Sequence, residues 1–245
     1  MRRRVCVRTA VLAAFSGCAL AWLDRAAHAQ WEGDRSETET VMLFAGADLW
    51  RAGGFAHGGL VWSPGGLDKE GFAAKLMAGA GTYRYRNGNV PTAGDVLLFD
   101  VMPGWRFKPG GADITVFAGL DIQHHSLTPD DLSNKARGTH LGLRLGMDFW
   151  WEPSSGTMTN AGLSFATIGT GYWARLAYGW RIIDSFYIGP EALALGDATY
   201  RQWRVGAHVT AFRTRWLEWS AGVGYVSDSD ERAGLYGRIG VLMRQ

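Results

Sequence analysis

The side chains best suited to chemistry crowd one stretch: His124-His125-Ser126, then Asp130, Asp131, Asn134 and Arg137. On a strand, His124 and Ser126 share a face, and a histidine beside a serine hydroxyl is the beginning of a nucleophilic pair. Such a pair needs a carboxylate to orient the imidazole. The segment that follows, residues 140–151, holds no Glu, and its Asp148 belongs to the opposite face. No enzyme is expected on this basis. Asp130, Asp131 and Asn134 carry oxygens that suit Ca²⁺ or sugar hydroxyls. Pro129 followed by two Asp is also ordinary turn chemistry, so neither a metal nor a cofactor is expected there.

A second set of polar groups is scattered singly along the chain: Arg144, Asp148, Arg175, Arg181, Arg204, His208, Glu218 and Arg238. Each stands on the polar face of an alternating segment. In residues 140–151 the odd positions are Leu141, Leu143, Leu145, Met147, Phe149 and Trp151. The even ones are His140, Gly142, Arg144, Gly146, Asp148 and Trp150. Side chains alternate across a strand, so this is a β-strand with one wholly apolar face. The pattern recurs in 113–124, 172–182, 201–211 and 217–225.

Strands are expected near 40–50, 55–63, 71–85, 95–107, 113–124, 139–151, 157–167, 172–182, 186–195, 200–212, 216–227 and 234–243. Most have the length that a tilted strand needs to cross a bilayer, and an even count suits an antiparallel bacterial barrel. The expected fold is therefore all-β, an antiparallel up-and-down transmembrane β-barrel of about 12 strands. A soluble sheet also alternates. Gly mixed with single charges, however, suits a narrow lumen better than a solvated face. Aromatics at strand ends (Trp50, Trp62, Trp150, Trp151, Tyr172, Trp180, Tyr200, Trp216, Tyr225) suit the two membrane girdles. Short connections at 108–112, 152–156, 183–185 and 213–215 read as periplasmic turns. Longer ones at 86–94, 125–138 and 228–233 read as outer loops. The chain ends Leu242-Met243-Arg244-Gln245 rather than on the aromatic residue that many such barrels carry.

The N-terminus reads as an export signal. Arg2, Arg3, Arg4 and Arg8 precede an apolar stretch over residues 9–23, and Ala27-His28-Ala29 is a small-x-small cleavage site. A lipoprotein signal ending at Phe15-Ser16-Gly17-Cys18 fits less well, because the apolar run continues past Cys18. The expected organisation is a signal peptide over 1–29, a periplasmic segment over 30–39 and a barrel over 40–245. Cleavage removes both cysteines, Cys6 and Cys18. It also removes five arginines but only Asp24 among the acids, which turns a formal +2 into a slightly acidic mature chain. Nothing then argues for nucleic acid as a partner. The 34 Gly and 12 Trp suit a barrel with a small-residue interior and aromatic girdles.

Several segments resemble a known family in order. Residues 121–131 (Asp-Ile-Gln-His-His-Ser-Leu-Thr-Pro-Asp-Asp), then Asn134 and Arg137-Gly138, resemble the central motif of the cellulose biosynthesis protein BcsS family. Tyr172-Trp173-Ala174-Arg175, Ile188-Gly189-Pro190-Glu191 and Tyr200 with Arg204-Val205-Gly206 follow suit. Gly79-Ala80-Gly81-Thr82-Tyr83-Arg84-Tyr85 is similar to its early glycine–tyrosine strand. The resemblance implies a non-enzymatic outer-membrane accessory protein of bacterial cellulose synthesis and export, with no catalytic residues to carry over. Its implied partners are outer-membrane lipid, cellulose or glucan chains, and other cellulose-secretion components.

The candidate ligand contacts are Asp121, His124, Asp130, Asp131, Asn134, Arg137, Trp173, Arg175, Glu191 and Arg204. Pro190 is expected at a bulge or a strand end. A small porin-like or surface-structural barrel, and a lipid-modifying barrel enzyme, are the alternative readings. The second has a precedent in the lipid A deacylase barrels, which carry His-x-Ser on a membrane-facing strand.

Overall fold

The computed structural model describes residues 38–183 and 185–245. The expected signal peptide and nearly all of the expected periplasmic segment lie outside the described residues. Twelve strands follow in order: β1 (Val41–Trp50), β2 (Gly53–Trp62), β3 (Gly71–Asn87), β4 (Val90–Phe107), β5 (Ala112–Thr128), β6 (Gly138–Ser154), β7 (Thr157–Ala166), β8 (Tyr172–Ile182), β9 (Phe186–Gly196), β10 (Arg201–Thr214), β11 (Leu217–Asp228) and β12 (Ala233–Arg244). Each pairs antiparallel with its sequence neighbour, and β12 pairs with β1, so the sheet closes. Closure satisfies the backbone ladder without leaving an edge. At the seam, Gln245 exchanges backbone hydrogen bonds with Val41, 2.8 Å in each direction, and so completes the last rung.

The alternation read in the sequence sets the two faces. Leu141, Leu143 and Leu145 on β6 are 70%, 58% and 56% exposed on the outside, and similar apolar rows run along the other strands. A soluble monomer rarely exposes a contiguous apolar patch beyond about 600 Å². Here the apolar band encircles the molecule, which places it in hydrocarbon. Outward aromatics rim the end that carries both termini: Trp62, Phe72, Trp105, Phe107, Trp151, Trp180 and Phe212. At the opposite, loop-bearing end the outward aromatics are Phe165, Tyr172, Trp203 and Tyr225.

Some expectations change. Trp50 and Trp150 turn into the lumen rather than joining a girdle, against Arg204 and Tyr187 respectively. Tyr200 donates its hydroxyl to Asp228 at 3.2 Å. The long outer loop expected over 86–94 is instead a strand hairpin, with Asn87 paired to Val90. Gly88, at φ 59°, supplies the left-handed position that a two-residue turn needs. Pro190 sits mid-strand on β9 with no bulge. The β8–β9 register is the same on either side of it, and only the rungs at Gly189 and Pro190 are lost, because proline has no N–H to give. Register shifts lie instead on β10, between Val209 and Phe212 with Ala211 at φ 63°, and on the β6–β7 ladder between Trp151 and Ser154.

Candidate functional site

The β4–β5 register sets Asp100 directly opposite Asp121, both pointing into the lumen and both fully buried. Arg144, on β6, reaches across to them. Its Nε donates to Asp100 Oδ1 and its Nη2 to Asp121 Oδ2, each at 3.0 Å, and its Nη1 to Ser164 Oγ at 3.1 Å. Gln123 Nε2 adds a bond to Asp121 Oδ2 at 2.8 Å. Two carboxylates thus share one guanidinium, and Asp100 Oδ2 and Asp121 Oδ1 are buried without a hydrogen-bond partner among the described residues.

On the other side of the lumen, Glu191 of β9 reaches past β10 and β11 to β12. It accepts from Tyr236 Oη at 2.9 Å and from Arg238 Nη2 at 2.6 Å. Arg175 Nε approaches from β8 at 3.1 Å, and its Nη1 donates to Asn160 Oδ1 at 2.5 Å. Gly222 makes this crossing possible, because a Cβ there would lie 2.0 Å from Glu191 Oε1. Arg204 donates to Gln202 Oε1 at 3.1 Å and to Asp48 Oδ1 at 3.4 Å. Its guanidinium lies 4.8 Å from the Trp50 ring centre and 5.3 Å from that of Tyr236. Lys75 bonds Asp148 at 2.8 Å and lies 5.0 Å from the Phe117 ring centre. Buried charge is tolerated only when paired and hydrogen-bonded. Pairing therefore holds these long side chains across the lumen.

The loop end of the lumen has a different chemistry. Tyr83 and Tyr85 stack with ring centres 6.1 Å apart, two residues apart on the inner face of β3. Tyr83 Oη bonds His125 Nδ1 at 3.0 Å. Tyr85 donates to Asp131 Oδ2 at 2.7 Å and accepts from Asn134 Nδ2 at 3.0 Å. Asp131 also caps its own loop, accepting from the Ser133 amide at 3.0 Å and the Ser133 hydroxyl at 2.6 Å. These donors, the Ser133 hydroxyl first and the Tyr85 hydroxyl next, hold the Asp131 carboxyl below its ordinary range. Asp130 and Arg137 form a bidentate pair at 2.5 and 2.9 Å, which raises the Arg137 pKa. A cleft of about 350 Å³ opens beside them, lined by His125, Ser126, Leu127, Asp130, Arg137 and Gly138.

The candidates from sequence thus divide. Asp121, Arg175, Glu191 and Arg204 join the lumen network. Asp131 and Asn134 brace the mouth, Asp130 and Arg137 pair on its loop, and Trp173 lies on the inner face of β8 beside Gly162. His124 stands apart, on the outer face. Its Nδ1 meets Thr139 Oγ1 at 2.8 Å, and Ser126 Oγ lies 3.4 Å from its Nε2. A hydroxyl thus occupies the place where a nucleophilic pair needs a carboxylate, and a hydroxyl cannot stabilise an imidazolium in the same way. The sequence reading did not single out Asp100, Tyr236 or Tyr85 as site residues. Strand parity carried that signal, since Asp100 and Tyr85 both fall on the lumen-facing set of their strands.

The family model of the cellulose biosynthesis protein BcsS matches residues 42–245. The chain belongs to this family. It is therefore associated with cellulose biosynthesis. Among solved structures, the translocator domain of the autotransporter NalP from Neisseria meningitidis is similar at 14% identity and a TM-score of 0.52, over 97% of this chain and 98% of that one. The transport unit of the autotransporter AIDA-I from Escherichia coli is similar at 10% identity and a TM-score of 0.50, over 88% and 93%. The KdgM porin follows at 11% identity and a TM-score of 0.47, over 82% and 98%. At these identities the likeness concerns the fold, an outer-membrane barrel, and the protein is located in the outer membrane. No curated protein matches the chain. In an outer-membrane barrel the termini lie on the periplasmic side, so the mouth at Tyr83, Tyr85 and Asp131 faces the exterior.

Proposed function

We propose that this member of the BcsS family is a non-enzymatic accessory barrel that holds exported cellulose at the cell surface, with the glucan at its outer mouth rather than threaded through its lumen. The observation that carries the reading is the network across the lumen. Asp100, Asp121 and Glu191 have fully buried side chains, and the cations they bind come from strands up to three places away. A glucan chain would have to break those pairs at a cost of several kcal/mol each. The mouth is held by hydrogen bonds among Tyr83, His125, Tyr85, Asp131 and Asn134 rather than by buried ion pairs, so a sugar there would exchange weaker contacts. Tyr83, Tyr85 and Trp173 offer flat amphipathic rings of the kind that pack on sugar faces, and Asp131, Asn134 and His125 offer donors and acceptors for hydroxyls. The Ser126–His124–Thr139 arrangement supports the non-enzymatic side of the reading.

Titrating the refolded barrel with cellohexaose tests this through tryptophan fluorescence. The wild type should show a saturable change. Trp173→Phe and Tyr83→Ala should each weaken binding. A wild type that ignores the oligosaccharide, or variants that bind it equally well, would overturn the assignment of the mouth.

A further inference from the structure

The outward face of the barrel is uneven at its loop end. Over β7 to β11 the lipid-facing band is topped by Phe165, Tyr172, Trp203 and Tyr225, the usual interfacial anchors. Over β3 to β6 the outward aromatic is Phe99 of β4, 45% exposed and paired with Ile122 of β5, which in turn pairs with Leu141 of β6. Beyond it, toward the loop end, the outward face carries Thr82, Arg84 and Arg86 on β3, His124 and Ser126 on β5, and Thr139 on β6. The outward apolar rung of Phe99, Ile122 and Leu141 comes one outward position before His124 and Thr139, and exposed Leu97 stands beside His124. Leu97, His124 and Thr139 follow one another across adjacent ladders, so the polar band is continuous with the lipid-facing surface.

Arg84 and Arg86 decide what this band fits. They alternate with Tyr83 and Tyr85, whose rings point inward, so both arginines point outward, and both are exposed. Neither makes a side-chain hydrogen bond or ion pair among the described residues. Two residues apart on one strand face, their backbones are about 7 Å from each other. Like charges at that spacing repel unless an anion sits between them. Asp95, on the same outward face, stands opposite Thr82 and Ser126, so two guanidiniums face one carboxylate and the band stays cationic. Nearby loop arginines are matched by acids, as Arg137 is by Asp130 and Arg232 by Asp228.

We propose that the outward band formed by Arg84, Arg86, His124 and Thr139 binds the phosphate-bearing headgroup of an outer-leaflet glycolipid. The guanidiniums clasp phosphate, which they match in geometry. The imidazole and hydroxyls bond the sugar, while the acyl chains lie on Leu97, Ile122 and Leu141.

Native mass spectrometry of the refolded barrel in neutral detergent tests this with three probes: bisphosphorylated lipid A, the same lipid with both phosphates removed, and inorganic phosphate. The wild type should retain the bisphosphorylated lipid about tenfold more tightly than the Arg84→Gln/Arg86→Gln variant, a loss of about 1.4 kcal/mol. The dephosphorylated lipid should bind both proteins alike, and inorganic phosphate should displace nothing. Arg201→Gln, at the loop end of β10, should leave retention unchanged. Heat-modifiable gel migration reports folding. Should the double variant not fold, either single variant is expected to show part of the loss. Equal retention by wild type and variants, displacement by inorganic phosphate, or an equal loss in Arg201→Gln would overturn the proposal.

Discussion

Asp100 and Asp121 face each other across the β4–β5 ladder, and both bond the same guanidinium, that of Arg144, at 3.0 Å. The stoichiometry has a direct consequence. One carboxylate is in excess of the cation, so neutralising either one relieves repulsion between groups with no access to solvent. Asp100→Asn or Asp121→Asn should change stability by no more than about 1 kcal/mol, while Arg144→Met, which strands both acids, should cost about 3–5 kcal/mol. Urea unfolding of the reconstituted barrel, followed by gel migration, measures the difference.

Gly222 and Gly237 lie on neighbouring strands and should respond differently to a methyl group. At Gly222 the new Cβ would lie 2.0 Å from Glu191 Oε1, whereas at Gly237 it would meet nothing within 4 Å among the described residues. Gly222→Ala must push Glu191 away from Tyr236 and Arg238. It should cost about 2–4 kcal/mol, while Gly237→Ala should stay within about 1 kcal/mol of the wild type. The same unfolding measurement separates them.

The loop over 129–137 should respond to acid through Asp131. Its hydrogen bonds hold the folded-state pKa below the ordinary value of 3.8. A group whose pKa is depressed on folding stabilises the fold above its unfolded pKa. That contribution is lost as pH falls through the lower, folded value. The amide of Ser133, which donates to Asp131 Oδ1, should therefore shift in NMR spectra with a midpoint below 3.8. Asp131→Asn should abolish that titration, and a midpoint at or above the ordinary value would contradict the bonding described here.

Paired side chains across the lumen should also block ions. In planar bilayers the wild type is expected to show no steady single-channel current. Arg175→Ala combined with Arg238→Ala, which strips Glu191 of both cations, should produce intermittent conductance. A steady open channel in the wild type would favour a porin.

The strands were legible because a lipid-facing row imposes strict alternation, as in Leu141, Leu143 and Leu145 against Gly142 and Arg144. The same parity puts Asp121, Arg175 and Arg204 in the lumen. It could not say whom they meet. Glu191 and Arg238 are 47 residues apart and touch only because the closed sheet curves β9 toward β12. Trp50 and Trp150 show a related limit: a strand-end tryptophan reads as a girdle residue, yet an inward position and an arginine or tyrosine partner draw these two into the lumen. The hairpin at Gly88 was hidden because its polar residues look like loop, although their backbones pair in full.

The central claim, that the mouth of this barrel retains cellulose at the surface, is tested most directly in a strain lacking the gene. Surface cellulose is measured by dye binding, alongside glucan synthesis in the cell. Deletion should lower surface cellulose and leave synthesis unchanged. The wild-type gene should restore it, and a Trp173→Ala/Tyr83→Ala gene, expressed and folded to the same level, should not. Unchanged surface cellulose on deletion, or full restoration by the double variant, would contradict the account.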